Sequence, residues 1–115
     1  MIVVHHNPAC GTSRRVLELV RAAGHEPVVI PYLETGWTRG QLLGLFAAAD
    51  LTPRAALRAS VEEAKGLEGA DDEALLAAMV AHPVLVNRPI VCSPRGVRLC
   101  RPAEEVLALL DAGAP

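Results

Sequence analysis

The first thirty residues hold two short apolar runs separated by one amphipathic segment, and this spacing constrains the chain more than any other feature. Ile2-Val3-Val4 stops at the polar, proline-containing His5-His6-Asn7-Pro8 and reads as a first strand, moderately buried on both faces. From Ser13 to Ala23 the residues Val16, Leu17, Leu19, Val20 and Ala23 recur at helical spacing. Arg14, Glu18 and Arg21 share the opposite face, and Gly24 is a natural stop. Glu26-Pro27 then leads into Val28-Val29-Ile30, a second strand ended by Pro31. Strand, helix and strand in so short a stretch make a βαβ unit, so the two strands are expected to run parallel.

The middle of the chain is helical in pattern. Thr38-Arg39-Gly40-Gln41 has the form of a capping box, opening a helix with Leu42, Leu45 and Phe46 inward. Thr52-Pro53 opens a shorter helix, expected to run through Leu57 and Arg58. Val61 to Gly69 reads as a loop. Asp71 caps a helix whose apolar stripe is Leu75, Leu76, Met79 and Val80, ending before His82-Pro83. Val84-Leu85-Val86 is a further apolar run. Ile90-Val91-Cys92 and Val97-Arg98-Leu99-Cys100 flank a Pro94-Arg95-Gly96 turn as a hairpin. Pro102 starts a last helix with Val106, Leu107, Leu109 and Leu110 inward, and Asp111 to Pro115 are expected to fray. This order predicts an α/β fold of thioredoxin-like type. A four-stranded mixed sheet is flanked by helices, with a helical insertion between the βαβ and ββα halves, and residues 1–115 form a single domain.

Composition narrows the partners. The 115 residues include ten arginines but one lysine, Lys65, so a cation used in a site is expected to be a guanidinium. A net charge of −2 argues against nucleic-acid binding through a broad basic surface. No apolar run is long enough to span a membrane. The N-terminus lacks the basic segment and long apolar core of a secretory signal, so a cytoplasmic location is expected. Cys10, Cys92 and Cys100 are then expected as thiols.

Of the three, Cys10 stands where a cysteine gains reactivity. His6-Asn7-Pro8-Ala9-Cys10-Gly11-Thr12-Ser13 joins a strand to a helix N-terminus, whose N–H groups favour an anion. Thiols so placed have pKa values of roughly 3.5–7.5, against about 8.5 when free. Gly11 lets backbone approach a ligand, Thr12 and Ser13 add hydroxyl groups, and His6 can bring positive charge or a hydrogen bond to the sulfur. Cys10 to Ser13 is C-x-x-S, so no dithiol forms within the loop. Position 16 is valine, so the C-x5-R loop of low-molecular-weight phosphatases is absent. A metal site from His5, His6 and Cys10 lacks a second cluster to complete it.

The segment from His6 to Arg14 resembles the active-site segment of the glutaredoxin-linked arsenate reductases. The similarity continues through Glu26-Pro27, Tyr32-Leu33-Glu34-Thr35, Arg54-Ala55-Ala56-Leu57-Arg58, His82-Pro83, Asn87-Arg88-Pro89-Ile90-Val91 and Arg98 to Glu104. That is nearly the whole chain, in order. The resemblance implies a thioredoxin-like fold in which Cys10 is the nucleophile that attacks arsenate. Arg58, Arg88 and Arg101 would hold the oxyanion, and His6 and Ser13 would help keep the cysteine ionised, with Asn7, Gly11 and Thr12 completing the loop. Arg88–Pro89 would be a cis peptide. Glutathione would act as co-substrate on the Cys10 adduct and glutaredoxin as electron donor, with no bound cofactor or metal. The loop from Val61 to Gly69 is shorter than in the better-known members, and Ala59-Ser60 replaces a more polar pair.

Arginine suits an oxyanion because its planar fork gives paired hydrogen bonds and stays charged. Read without the resemblance, Arg58 ends a short helix, Arg88 is a loop residue, Arg101 precedes a helix, and Arg14, Arg21, Arg39 and Arg54 lie on solvated faces. Cys92 and Cys100 are expected as packed, inert thiols, their relative facing set by hairpin register. Two alternatives share the fold: a regulator of RNA polymerase, usually with C-x-x-C at this loop, and a monothiol glutaredoxin-like iron–sulfur protein. Neither needs Arg58, Arg88 and Arg101.

Overall fold

In the computed structural model, which describes residues 1–110, the first apolar run forms strand β1, Val3–His5. It leads into helix α1, Gly11–Ala22, and strand β2, Val28–Ile30. Four helices follow: α2 (Tyr32–Thr35), α3 (Arg39–Ala49), α4 (Pro53–Ala56) and α5 (Asp72–Ala81). Strands β3 (Ile90–Ser93) and β4 (Gly96–Leu99) precede a 3-10 helix, Ala103–Leu109. The expected fraying of Asp111 to Pro115 concerns positions outside the described residues. No helix among the described residues is long and apolar enough to cross a membrane.

The chain divides into two compact units, one holding Met1–Pro31 and the chain from Arg88 onward, the other Tyr32–Asn87. In the first, the strand order is β2-β1-β3-β4. β1 runs parallel to β2, as the βαβ pattern predicts, and antiparallel to β3, which is antiparallel to β4. One sheet face presents Ile2, Val4, Val91 and Cys100 to Val16 and Val20 of α1 and to Ala103, Val106, Leu109 and Leu110. The last segment is 3-10 rather than the expected α-helix. Its buried residues therefore recur every three positions, and Leu107 falls off that stripe and is exposed.

The register makes the hairpin turn Pro94-Arg95, since Ser93 pairs with Gly96. Cys92 pairs with Val3 and Val97 on one sheet face, whereas Cys100 belongs to the core on the other. The two thiols therefore cannot pair, and all three cysteines are free.

In the second unit the Thr38 capping box forms with both arms present. Thr52 and Asp71 cap α4 and α5 by accepting N–H bonds from Ala55 and Ala74. Tyr32 stacks on Trp37 with ring centroids 5.1 Å apart, which buries the lone tryptophan as core cover. Two expectations change. Val80 lies at the border of the α5 stripe and is exposed. Helix α4 stops at Ala56 because Leu57 turns extended and bridges Val86, with Arg58 N–H donating to Leu85 O at 2.7 Å and Asn87 N–H to Ala56 O at 2.8 Å. Val84-Leu85-Val86 accordingly forms a 3-10 turn (Pro83–Leu85) and a single bridge, and Arg58 is no helix end.

Leu42 and Leu43, neighbours on α3, test this packing, being 0% and 40% exposed. Leu42→Ala is expected to lower unfolding free energy by about 2–5 kcal/mol, and Leu43→Ala by less than about 0.5 kcal/mol. Denaturant unfolding of both variants measures the difference.

Candidate active site

Sheet register places three segments at one end of the first unit. His5 ends β1 opposite Ile90, which begins β3, and Ile90 pairs with Leu99, which ends β4. The loop after β1, the Arg88–Pro89 peptide before β3 and the Cys100-Arg101 pair after β4 therefore come together. Arg88–Pro89 is cis, as the resemblance implies, and so is Arg101–Pro102, which the sequence did not signal. His5 Nδ1–H donates to Ile90 O at 2.8 Å across this junction, and burial holds the imidazole below its ordinary pKa.

Cys10 is the N-cap of α1, which begins at Gly11, two residues before the expected start; the cysteine has extended backbone and 7% exposure. Gly11, Thr12 and Ser13 thus occupy the first turn, where N–H groups lack intrahelical acceptors. Burial pushes the Cys10 thiol up, but the N–H of Ser13, the Arg88 charge, an Arg101 hydrogen bond and the N–H of Thr12 together hold it below its ordinary value. Arg101 Nη1 lies 3.7 Å from the sulfur and also donates to Arg88 O at 3.2 Å. One guanidinium thus links the nucleophile to the peptide preceding β3.

The loop is braced from beneath. Asn7 Oδ1 accepts from Ala9 N–H at 2.9 Å, Asn7 O accepts from Cys10 N–H at 3.0 Å, and Asn7 N–H donates to Ser13 Oγ at 3.1 Å. Ser13 Oγ also shares a 2.6 Å hydrogen bond with His6 Nδ1. Burial first, then the charges of Arg14 and Arg21, hold His6 below its ordinary pKa. Contrary to the expectation that it brings positive charge or a bond to the sulfur, His6 is the neutral partner of Ser13. The Ser13 hydroxyl serves the loop, and its backbone N–H serves the sulfur. Gly11 is exposed, and a Cβ there would stand 3.7 Å from Arg14 Nη2, in ordinary van der Waals contact.

The geometry brings Cys10, Arg88 and Arg101 together. Arg58 belongs to the other unit, where its Nε is buried without a hydrogen-bond partner among the described residues. Burial raises the thiol of Cys92, and that of Cys100 to about 12, so both stay protonated near neutral pH. Arg54 is exposed, as expected, and its guanidinium also donates to Leu67 O and Ala70 O at 2.9 and 2.8 Å. Arg14 is exposed, as expected, but its Nη1 donates to Pro8 O at 2.8 Å, turning the guanidinium onto the loop. Its i+4 spacing from Cys10 was the available signal. Among the described residues no group of three or more His, Cys, Asp or Glu side chains is placed to hold a metal ion.

The model of the ArsC family matches residues 5–109. The chain is 63% identical over 115 residues to "Arsenate reductase ArsI2" of Synechocystis, covering 96% of this chain and 82% of the relative. It is 50% identical over 113 residues to an arsenate reductase of Escherichia coli K12, covering 95% and 80%. Among solved structures, an arsenate reductase from Vibrio cholerae superposes with a TM-score of 0.88 at 40% identity, covering 95% of this chain and 97% of that one.

Proposed function

The chain belongs to the ArsC family, and we infer from its site that it works as an arsenate reductase through Cys10. It is an oxidoreductase of thioredoxin-like fold that reduces arsenate to arsenite. The observation that carries the assignment of the nucleophile is the Cys10 thiol, poised below its ordinary pKa with the Arg101 guanidinium 3.7 Å from its sulfur. A thiolate and arsenate are both anions, so their encounter needs fixed cations. Arg101 and Arg88 supply these beside the sulfur, and a part for Arg58 rests on the family resemblance alone.

The chemistry balances with thiols alone. The Cys10 thiolate displaces one arsenate oxygen, which leaves as water after protonation, and an S–As(V) bond forms. Glutathione replaces a second oxygen in the same way. A glutaredoxin thiolate then attacks the glutathione sulfur. A disulfide forms, the As–S electron pair stays on arsenic, and As(V) becomes As(III). Water cleaves the remaining Cys10–As bond, returning the thiol and arsenous acid. The two electrons come from the two thiols that leave as the mixed disulfide, so the protein itself needs no bound cofactor. Arg88 and Arg101 offset the charge of the bound oxyanion throughout, while Asn7, Gly11, Thr12, Ser13 and His6 keep the loop and its N–H groups aimed at the sulfur.

The test couples arsenate addition to NADPH oxidation through glutathione, glutathione reductase and glutaredoxin. Arsenate-dependent turnover is expected, together with protection of Cys10 from alkylation by arsenate. Absence of both, with several glutaredoxins tried, overturns this reading.

A further inference from the structure

Helix α1 carries three arginines, and two of them are matched by carboxylates. Arg15 pairs with Glu18 at 3.0 Å and approaches Glu104 at 4.0 Å, while Arg21 pairs with Glu26 at 3.4 Å. Arg14 is different. Its side chain reaches no carboxylate among the described residues, and Nη1 instead donates to Pro8 O at 2.8 Å. Nη2 lies 3.7 Å from where a Cβ on Gly11 would stand. The guanidinium therefore lies over the exposed rim formed by Pro8, Ala9 and Gly11, one helical turn from Cys10, whose carbonyl accepts from Arg14 N–H at 3.0 Å.

This position separates Arg14 from the groups that serve the sulfur. Ser13 and Thr12 N–H, Arg88 and Arg101 favour the Cys10 anion, and Arg14 is not among them. One nitrogen of its fork is anchored on a carbonyl and the side chain is exposed, which leaves donors available in a fixed direction. We propose that Arg14 binds a carboxylate of the thiol co-substrate, orienting its sulfur for attack on the arsenic held by Cys10. The proposal rests on the arsenate-reductase reading. A small thiol bearing a carboxylate a few bonds from its sulfur matches a guanidinium one helical turn from the nucleophile, beside a glycine that adds no side chain of its own.

The experiment compares glutathione with its diethyl ester, both carboxylates masked, in wild type and in Arg14→Met, at saturating arsenate and excess glutaredoxin. In wild type the ester is expected to lose about 10- to 100-fold in kcat/KM for the thiol, as for a charge-assisted hydrogen bond. In Arg14→Met the free acid is expected to fall to the ester's value, so that esterification no longer matters. Any penalty that arises at glutaredoxin survives the substitution, and an unchanged ester penalty in Arg14→Met overturns the assignment. Arsenate protection of Cys10 is followed in the same two proteins. If wild type shows neither protection nor turnover, the underlying reading falls and this assignment with it. If both stand while the ester penalty survives in Arg14→Met, the Arg14 assignment alone falls. An altered pH profile of Cys10 alkylation in Arg14→Met, with the penalty intact, marks Arg14 as a brace of the Pro8 loop instead.

Discussion

Cys10→Ser is expected to abolish arsenate reduction, with a loss of roughly 10⁴-fold or more, while leaving the fold intact. Serine is a favourable N-cap residue, and Cys10 already occupies that position, so the denaturation midpoint is expected to stay or rise slightly. The loss is therefore chemical. A serine hydroxyl stays protonated near neutral pH and offers no soft anion to arsenic, whatever donors surround it. The other two cysteines are the internal control. Burial keeps both protonated, and they lie on opposite faces of the sheet. Cys92→Ser and Cys100→Ala are expected to retain turnover, and a limiting dose of alkylating reagent near neutral pH is expected to label Cys10 alone. Turnover surviving in Cys10→Ser, or loss in Cys92→Ser, sinks the nucleophile assignment.

What was legible in the chain followed from local rules. The apolar runs flanking α1 specify parallel β1 and β2, and Thr38, Thr52 and Asp71 announce three helix starts through side chains that cap their own backbone. The Cys10 loop was visible for the same reason, since a cysteine between a strand and a helix is a local arrangement. Arg101 beside the sulfur was not a local matter. It depends on the pairing of β3 with both β1 and β4, and Pro94-Arg95-Gly96 in sequence allows a turn of two residues or of three, which leaves that register open. Tertiary pairing also overrode helix propensity at Leu57, where the bridge to Val86 ends α4 early. The stripe at Leu107 failed because period three replaced 3.6 in the last helix. Arg14 was hard to see because its partner is the Pro8 carbonyl, which carries no side-chain signal, and only its i+4 spacing from Cys10 pointed to the loop.

Arg101→Ala is expected to lower kcat/KM for arsenate by about 10²- to 10³-fold, as for loss of one donor aimed at developing charge. It should also move the pH midpoint of Cys10 alkylation upward. Burial favours the neutral thiol, and Arg101 is one of the groups that outweigh it, so removing the guanidinium lets the protonated form persist to higher pH. Below the midpoint the variant then alkylates more slowly than wild type. Well above it both proteins are fully ionised and their alkylation rates converge. Arsenate turnover is expected not to converge, because Arg101 acts on the oxyanion as well as on the sulfur, and raising the pH restores only the thiolate. Arg101→Lys separates the two parts further. An ammonium keeps a positive charge near Cys10 and recovers part of the alkylation midpoint. It lacks the planar fork that gives paired bonds to an oxyanion, so it recovers less of the turnover. If turnover in Arg101→Ala does recover at high pH along with alkylation, Arg101 serves only to ionise Cys10, and the oxyanion is held without it.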